Sequence, residues 1–358
     1  MSQKPPRRYR AAPTISDVAR RAGVSPMTVS RVINGESNVR PSTRDVVNAA
    51  ISELNYAPNS AARSLAGAGQ HRIGLLYSNP SAGYLSEFLV GSLDQASRSD
   101  VQLIVAKCEI GDHEAEVARH LIEGGIDGII LPPPLCDSGA VLDLLVAAGV
   151  PTVVVATGRP PEGVFAVTID DFQAALEMTR HIVALGHQRI GFILGNPNQT
   201  ASARRLEGYR AALAEAGVAS DDGLVMQGLF TYRSGLDAAE QLLDLDAAPT
   251  AIFASNDDMA AAAIAVAHRR GLDVPGDLTV CGFDDTTLAT AIWPELTTIH
   301  QPIAMMSRAA VEVLVAALRR QRRAEPKEAF HRTLDFTLIR RQSDAPPRRR
   351  AGGHARRA

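Results

Sequence analysis

A short segment near the N-terminus carries side chains suited to reading DNA. Its outward face would consist of Met27, Thr28, Ser30, Arg31 and Asn34, none of which is acidic. An arginine can donate two hydrogen bonds to guanine O6 and N7 in the major groove, and hydroxyls can bind phosphate oxygens. Arginines at positions 7, 8 and 10 would add attraction to the phosphate backbone. The segment therefore favours double-stranded DNA as a partner.

A second set of polar residues stands at the ends of apolar, strand-like runs or at the start of the helix that follows. The set consists of Ser78-Asn79, Arg204-Arg205, Asn256-Asp257-Asp258 and Asp284-Asp285. In open α/β sheets, ligands bind beyond the carboxyl ends of the strands. Guanidinium, amide and carboxylate groups gathered there suit a ligand rich in neighbouring hydroxyls. Each residue alone is more often a helix cap or a solvated loop residue than a ligand contact.

Three short helices must position the DNA-reading segment. Thr14 and Asp17 have the spacing of a capping box, Gly23 ends the first helix, and Ser25-Pro26 starts the second. A third helix is predicted from about residue 42, and the predicted core positions are Val18, Ala19, Ala22, Val29, Val32, Ile33, Val46, Val47, Ala50, Ile51 and Leu54. Two helices joined by a short glycine-containing turn predict a helix-turn-helix. An ordinary three-helix bundle is the alternative.

From residue 72 onward, apolar runs alternate with amphipathic helical segments. The predicted strands are residues 73–77, 101–106, 128–131, 152–156, 189–194, 251–254 and 278–283. The predicted helices are residues 85–98, 114–124, 140–148, 206–216, 235–245, 259–270 and 304–320. This alternation predicts two parallel α/β lobes, and the late helix leaves enough chain to cross back between them.

Charge is distributed unevenly along the 358 residues, although the formal net charge is only −2. Residues 1–72 contain eleven Lys and Arg against four Asp and Glu, which gives +7. Residues 340–358 contain seven Arg against one Asp, which gives +6 and leaves −15 for the residues between them. An acidic body with two basic ends indicates a polyanionic partner for at least one end.

Several classes of protein are disfavoured by what the sequence lacks. Cys108, Cys136 and Cys281 are far apart and form no C-x-x-C pair, so we expect buried free thiols in a reducing cytoplasm. No histidine or cysteine spacing fits a metal site, and no phosphate-binding glycine loop is found, so we expect no metal and no cofactor. The basic N-terminus has no apolar segment behind it, and no apolar run reaches 18 residues. A secretory signal and a membrane span are therefore not expected.

The N-terminal motifs closely resemble the headpiece of the lac/gal repressor family. They are Thr14-Ile15-Ser16-Asp17-Val18-Ala19, Gly23-Val24-Ser25, Thr28-Val29-Ser30-Arg31-Val32 and Leu54-Asn55-Tyr56-x-Pro58-Asn59. The resemblance implies that Pro26, Met27 and Arg31 are the principal base readers, and Pro26 offers no side-chain hydrogen bond. The DNA-binding residues it implies are Thr14, Ser25, Pro26, Met27, Thr28, Ser30, Arg31, Asn34, Tyr56, Asn59, Ala62 and Leu65.

Residues 58–66 are about two helical turns long and are followed by Gly67 and Gly69. A free helix of that length is marginal in water, so a flexible linker is one interpretation. The resemblance instead implies a hinge helix that orders on operator DNA. In that case Leu65 would part a base step in the minor groove and bend the duplex. We expect the regulatory switch to lie here, because the ordering of the hinge can be coupled to ligand binding in the body.

The resemblance extends to about residue 338 and matches the periplasmic sugar-binding-protein fold. It implies that the ligand is bound by Ser78, Arg205, Phe230, Asn256, Asp284 and Gln301. At Ala156 the sequence departs from the pattern, because a member of the family has a ligand-binding aspartate there. The ligand is therefore expected to be a different sugar. The resemblance also places Trp293 near a dimer contact, and the leucine heptads that form tetramers in a family member are missing.

The predicted fold is an all-α helix-turn-helix headpiece plus an α/β two-lobed, periplasmic-binding-protein-like effector domain. The predicted segments are a disordered basic arm (1–13), the DNA-binding domain (14–57), the hinge (58–70), the ligand-binding and dimerisation domain (71–339) and a disordered basic tail (340–358). The sequence predicts a cytoplasmic, dimeric, non-enzymatic regulator of transcription. It would repress carbohydrate genes from a pseudo-palindromic operator under the control of a sugar or sugar derivative. The alternatives are a hydrolase that uses Asp170-Asp171 or Asp284-Asp285, and a sugar-binding protein without a DNA role.

Overall fold

The structure is a computed structural model that describes residues 13–33, 39–54, 70–99, 101–109, 111, 113–322 and 330–348. It divides the chain into two units, residues 1–70 and residues 71–358, which are described separately. Several predicted features lie outside the described residues. These are residues 1–12 of the basic arm, almost the whole hinge, and the predicted DNA contacts Asn34, Tyr56, Asn59, Ala62 and Leu65.

The first unit contains the three predicted helices, α1 (Ile15–Ala22), α2 (Pro26–Ile33) and α3 (Pro41–Glu53). The predicted capping box is confirmed, because the amide of Thr14 donates to Asp17 Oδ2 at 2.9 Å and the amide of Asp17 donates to Thr14 Oγ1 at 3.3 Å. Gly23 ends α1 with a left-handed φ of 67°. Ser25 begins α2, since its Oγ accepts from the amide of Thr28 at 3.2 Å.

The core of this unit is small and closely follows the predicted set. Its buried residues are Val18, Ala19, Val29, Val32, Val47 and Ala50. Ala22, Ile33, Ile51 and Leu54 pack against them and are partly buried. The prediction for Val46 is wrong, because its side chain is 50% exposed. Val46 and Val47 are about 100° apart around α3, so only one of the two can face the core.

In the second unit, the first lobe is a parallel six-stranded sheet with the order β11-β5-β4-β3-β1-β2. Its strands are β1 (His71–Tyr77), β2 (Val101–Lys107), β3 (Gly128–Leu131), β4 (Thr152–Val155), β5 (Phe165–Thr168) and β11 (His331–Thr333). Its helices are α4 (Ala82–Arg98), α5 (Glu114–Glu123) and α6 (Gly139–Ala147), and α12 (Ile303–Arg322) returns to pack against this lobe.

The second lobe repeats this plan with the strand order β12-β10-β9-β8-β6-β7, in which only β12 is antiparallel to its neighbour. Its strands are β6 (Ile190–Leu194), β7 (Val225–Gln227), β8 (Ala251–Ala254), β9 (Thr279–Asp284), β10 (Thr297–His300) and β12 (Thr337–Ile339). Its helices are α7 (Asp171–Ala184), α8 (Thr200–Glu215), α9 (Tyr232–Leu243), α10 (Asp257–Arg269) and α11 (Leu288–Ala291). The predicted two-lobed α/β architecture is confirmed. Among the described residues, no helix is both long enough and apolar enough to cross a membrane.

The described chain passes between the lobes three times: between β5 and α7, between β10 and α12, and between β11 and β12. The last connection comprises only residues 334–336. The sequence did not predict strands β5, β7, β10, β11 and β12, which are only three or four residues long, nor helices α7 and α11. Three short connections allow the lobes to rotate relative to each other while each sheet stays intact.

The prediction of a disordered tail from residue 340 is corrected by the structure for residues 340–348, which pack against the second lobe. Ser343 is fully buried, its carbonyl accepts from the amide of Val280 at 2.9 Å, and its Oγ accepts from the amide of Thr297 at 2.8 Å. Asp344 lies 2.9 Å from His181 Nε2. The basic composition of the tail concealed these pairings, because they depend on strands that are distant in the sequence. Residues 349–358 lie outside the described residues.

Candidate functional site

The carboxyl ends of strands from both lobes border a cleft with about 410 Å³ of space between protein atoms, part of which is open to solvent. The residues lining it are Asn79, Pro80, Ser81, Tyr84, Pro133, Ala156, Gln199, Ala201, Arg205, Phe230, Asn256, Asp284 and Gln301. The cleft therefore brings together residues that are more than 200 positions apart in the sequence.

Five of the six predicted ligand-binding residues line this cleft, namely Arg205, Phe230, Asn256, Asp284 and Gln301. Ser78 does not line it. Instead Asn79 and Ser81 face the cleft from the loop that leads into α4, and the amide of Ser81 donates to Asn79 Oδ1 at 2.8 Å. Ala156, where the sequence departs from the family pattern, also lies in the cleft wall, directly after β4.

Arg205 is the central cation of the site and is only 4% exposed. Its Nε donates to Asp171 Oδ1 at 2.8 Å, and its NH1 donates to the carbonyl of Ser255. The guanidinium lies 3.6 Å from the ring centroid of Phe283 and 5.7 Å from that of Phe230. A buried charge needs such a partner and such hydrogen bonds, so Arg205 and Asp171 depend on each other.

The acidic side of the site is formed by Asp284, whose Oδ1 accepts a hydrogen bond from Gln301 Nε2. Burial raises the pKa of Asp284 well above its usual value, and the nearby Arg205 opposes that shift only in part. Asp257 lies behind it and accepts from the amide of Thr286 and from Thr298 Oγ1. Burial likewise raises the pKa of Asp257 to about 7. The second lobe thus holds a group of carboxyls with little access to water.

The second lobe also fixes an amide and an aromatic ring at the cleft. Asn256 is the N-cap of α10, where its Oδ1 accepts from the amide of Met259 at 3.0 Å and its Nδ2 donates to the carbonyl of Phe230 at 3.1 Å. The ring of Phe230 occupies the space next to Gly195, where a Cβ atom would lie 2.0 Å from the ring. Glycine at position 195 is therefore what allows this aromatic ring to reach the cleft.

Strained backbone is concentrated at the cleft. In the described chain, the residues other than glycine with positive φ are Ala156 (56°), Phe230 (60°), Asp284 (115°) and Asp285 (58°). The first three line the cleft, and the fourth follows Asp284 directly. Such conformations cost about 1–3 kcal/mol each and persist where the surroundings impose them, which is characteristic of ligand sites.

Several hydrogen bonds join the lobes at two edges of the cleft. Asp137 of the first lobe accepts from the amide and the hydroxyl of Thr200, both at 2.9 Å, and so caps the N-terminus of α8 in the second lobe. At the other edge of the cleft, Ser81 Oγ of the first lobe donates to Asp258 Oδ2 of the second lobe at 2.6 Å. Gly158 allows the first approach, because a Cβ there would lie 2.7 Å from the backbone of Thr200. These contacts hold the lobes together on either side of the ligand space.

Two buried polar atoms on residues that line the cleft have no hydrogen-bond partner in the structure, Tyr84 Oη and Gln301 Oε1, and a third, Asp171 Oδ2, lies behind Arg205. Buried polar atoms are almost always paired, so a cluster of unpaired ones in a cleft indicates a polar ligand. Sequence reasoning missed Tyr84 and Gln199 as lining residues and considered Asp171 only as part of a catalytic pair. Tyr84 lies within α4, where no strand end marks it, so the sequence carried no signal for it.

The predicted DNA-reading face is accessible on α2. Pro26, Met27 and Arg31 are exposed, with Met27 at 64%, whereas Val29 and Val32 on the opposite face are buried. Ser25 Oγ and Thr28 Oγ1 lie 2.9 Å apart at the start of the helix. The hydroxyls therefore stand beside the α2 N-terminus, where a phosphate is favoured by the helix dipole.

The remaining expectations concern metals and thiols. Cys108, Cys136 and Cys281 are free and buried, as predicted. Burial raises the pKa of all three thiols above the usual value, which makes them poor nucleophiles. Within the described parts of the chain, no group of His, Cys, Asp and Glu is arranged to hold a metal ion.

A helix-turn-helix unit and a two-lobed domain with a polar cleft together define a DNA-binding regulator that responds to a small molecule. The chain matches the bacterial regulatory proteins of the lacI family over residues 14–59 and the periplasmic binding protein-like domain over residues 179–343. Catabolite control protein A of Priestia megaterium is 36% identical over 314 residues, which are 86% of this chain and 93% of that protein. The chain therefore belongs to the lacI family of transcription regulators.

Two solved structures extend the comparison over nearly the whole chain. The transcriptional regulator CelR in complex with cellobiose is 33% identical with a TM-score of 0.71, and the match covers 92% of this chain and 99% of that one. The lac repressor dimer bound to operator and the anti-inducer ONPF is 28% identical with a TM-score of 0.76, covering 94% and 100%. The predicted family, fold class and DNA-binding role are thus confirmed.

Proposed function

We propose that this regulator represses carbohydrate-metabolism genes and that a sugar-like effector, bound in the cleft between the lobes, controls its affinity for operator DNA. The observation that carries the proposal is the presence of unpartnered polar atoms on residues that line the cleft, Tyr84 Oη and Gln301 Oε1. A ligand with several hydroxyls can donate to Gln301 Oε1 and also pair with the tyrosine hydroxyl. The similar regulator CelR, whose structure is a complex with cellobiose, supports the same ligand class.

The proposed mechanism is a shift in lobe arrangement. An effector that fits one arrangement better than the other favours it by the difference in its two affinities, and a ligand without such a difference shifts nothing. The contacts Asp137–Thr200 and Ser81–Asp258 exist only when the lobes are close, so they set the balance on which the effector acts. Operator affinity would follow through residues 58–70, the predicted hinge.

The carboxyl pairs are better explained by structural roles than by catalysis. Asp170 caps α7 by accepting from the amide of Gln173 at 3.0 Å, and Asp171 pairs with Arg205. Asp285 is bound by Arg341 and His300. These contacts engage one or both carboxylates of each predicted pair, which favours a regulator without enzymatic activity over a hydrolase.

We also propose a homodimer, with each headpiece reading one half of a pseudo-palindromic operator. Trp293 supports this assembly because its side chain is 75% exposed, which is unusual for so large an apolar group. The lac repressor that matches this chain was captured as a dimer on its operator. A partner subunit that covers the surface around Trp293 would remove its exposure to water.

An effector screen tests the proposed function. Pentoses, hexoses, disaccharides and purine bases are added to the full-length protein, and the melting temperature is measured. DNA binding is then measured with each compound that stabilises the protein, on a duplex selected by the protein itself from a random library. We expect a sugar to raise the melting temperature and to change DNA affinity at least about tenfold, or 1.4 kcal/mol. A sugar that raises the melting temperature but leaves DNA affinity unchanged would reject the coupling.

The substitution Arg31→Ala tests the DNA-reading face. We expect it to weaken binding to the selected duplex by about 1–3 kcal/mol and to relax the preference at one base pair of each half-site, because a base-reading arginine discriminates by its two hydrogen bonds. Fluorescence anisotropy on the selected duplex and its single-base variants measures both effects. Arg20→Ala is the matched control, since Arg20 is an exposed arginine on α1 paired with Asp17. If both variants lose affinity equally for all sequences, Arg31 is not a base reader.

A further inference from the structure

We infer that the cleft accepts an uncharged polyhydroxyl ligand and excludes phosphorylated and carboxylated sugars. This inference rests on the proposed function and narrows it, because the size and polarity of a cleft alone would equally suit a sugar and its phosphate ester. Four features of the described structure lead to it: the cations at the site, its carboxyls, the helix ends around it, and the kind of polar atom left without a partner.

The supply of positive charge is the first feature. Among the residues that line the cleft in the described structure, Arg205 is the only cation. Its guanidinium already binds Asp171 and the carbonyl of Ser255, and its face is covered by the ring of Phe283. A phosphate group carries between −1.5 and −2 charges at neutral pH and is normally held by arginines or lysines that it can pair with. A phosphate in this cleft would have to compete with the buried carboxyl group of Asp171 for Arg205.

The carboxyls are the second feature. Asp284 lines the cleft, Asp171 lies behind Arg205, and Asp258 receives the hydroxyl of Ser81 at the cleft edge. When ionised, they repel an anion in a space with little water to screen the charge. Burial raises the pKa of all three, which favours the neutral form. A protonated carboxyl removes the repulsion but supplies no positive charge, so neither state compensates the charge of a phosphate.

The helix ends are the third feature. Helices α4, α8 and α10 begin at residues that line the cleft, and a free helix N-terminus is a common cradle for phosphate. Each of these three N-termini is already capped by a side chain: α4 by Ser81, α8 by Asp137 of the other lobe, and α10 by Asn256. The carboxylate of Asp137 occupies the place of an anion at the start of α8.

The unpartnered atoms are the fourth feature. Gln301 lines the cleft and its Oε1 is an acceptor, so a ligand can satisfy it only by donating a hydrogen atom. Sugar hydroxyls donate and accept, whereas the oxygens of a phosphate dianion only accept. A phosphate placed there would bring its oxygens, which only accept, next to another acceptor, and no hydrogen bond could form. An uncharged polyol can donate to Gln301 Oε1 and can also pair with Tyr84 Oη.

Matched pairs of ligands test the inference on the full-length protein by isothermal titration calorimetry. The pairs are glucose and glucose 6-phosphate, ribose and ribose 5-phosphate, and fructose and fructose 1-phosphate, with inorganic phosphate as the control for general anion binding. For a pair whose neutral member binds, we expect its phosphate ester to bind at least about a hundredfold more weakly, or 2.7 kcal/mol. Inorganic phosphate should release no heat beyond dilution.

The outcomes separate the inference from the function on which it rests. If a phosphate ester binds as tightly as its parent sugar or more tightly, the exclusion of anions is wrong, while the sugar-responsive regulator stands. If no neutral sugar in the calorimetric set or in the wider effector screen binds, although the protein binds its selected DNA duplex, the sugar effector itself is rejected and the inference falls with it.

Discussion

Replacing Arg205 with alanine is expected to lower the free energy of unfolding by about 3–5 kcal/mol, because removing one partner of a buried ion pair leaves the other without compensation. Asp171 would keep a buried carboxyl that has lost its hydrogen bond from Nε, and the ring of Phe283 would lose the guanidinium stacked 3.6 Å from its centroid. Binding of any sugar found by the screen should weaken at least about a hundredfold, since Arg205 is the cation at the site. Urea unfolding at pH 7 and calorimetry measure the two effects.

Arg204→Ala is the matched control for this variant. Arg204 is the adjacent residue on α8 but is 34% exposed, and it pairs with Glu207 on the same helix. We expect its loss to cost about 0–1 kcal/mol and to leave sugar binding unchanged, because exposed ion pairs contribute little. Arg205→Lys keeps a charge without the planar fork and should fall between the wild type and the alanine variant. Equal effects of the two alanine variants would show that burial of the Arg205 pair is unimportant.

Replacing Asp137 with alanine is expected to weaken sugar binding by about ten- to a hundredfold, although Asp137 does not line the cleft. Its carboxylate accepts from Thr157 Oγ1 at 2.7 Å in its own lobe and from Thr200 in the other lobe, so the substitution removes one of the contacts that join the lobes. Losing hydrogen bonds of this kind costs about 1–3 kcal/mol. In the wild type these hydrogen bonds stabilise the closed arrangement of the lobes. In the variant, part of the binding energy of the ligand would have to replace them.

Calorimetry with the sugar found by the screen checks the Asp137 prediction, and Asp143→Ala provides the control. Asp143 is an exposed carboxylate on α6 of the same lobe, so its removal changes the net charge equally without touching the contact between lobes. Sugar affinity should be unchanged in that variant. If Asp137→Ala also binds the sugar as tightly as the wild type, the contact with Thr200 does not contribute to closure.

The sequence was informative where local rules decide the structure. The capping box of Thr14 and Asp17 and the αL conformation of Gly23 both follow from spacing and residue type within one turn. Buried parallel strands such as Gly128–Leu131 and Ala251–Ala254 were also predicted, because strands covered on both faces are continuously apolar. Strands of three residues, such as β7 and β11, carry too few positions to form a pattern.

The site was predictable only in part for a related reason. Asp284 is the last residue of β9 and Asn256 lies two residues after β8, so their position in the topology marked them before any contact was known. Tyr84 and Asp137 are marked by no such rule, since one lies within a helix and the other is important only because a second lobe approaches it. Contacts of the ordered segment 340–348 were hidden in the same way. Long-range packing, rather than local propensity, decides all of these.

Gln301 lies in the second of the three connections between the lobes, between β10 and α12, and it also lines the cleft. Atoms close to an axis of rotation move least when two bodies swing about it. The contact that Gln301 makes with Asp284 should therefore survive opening, whereas the positions of Tyr84 and Ser81 on the far lobe change most. A ligand entering the open protein would thus be recognised first at the pivot. The first lobe would then affect mainly the rate at which the ligand dissociates, and not the rate at which it binds.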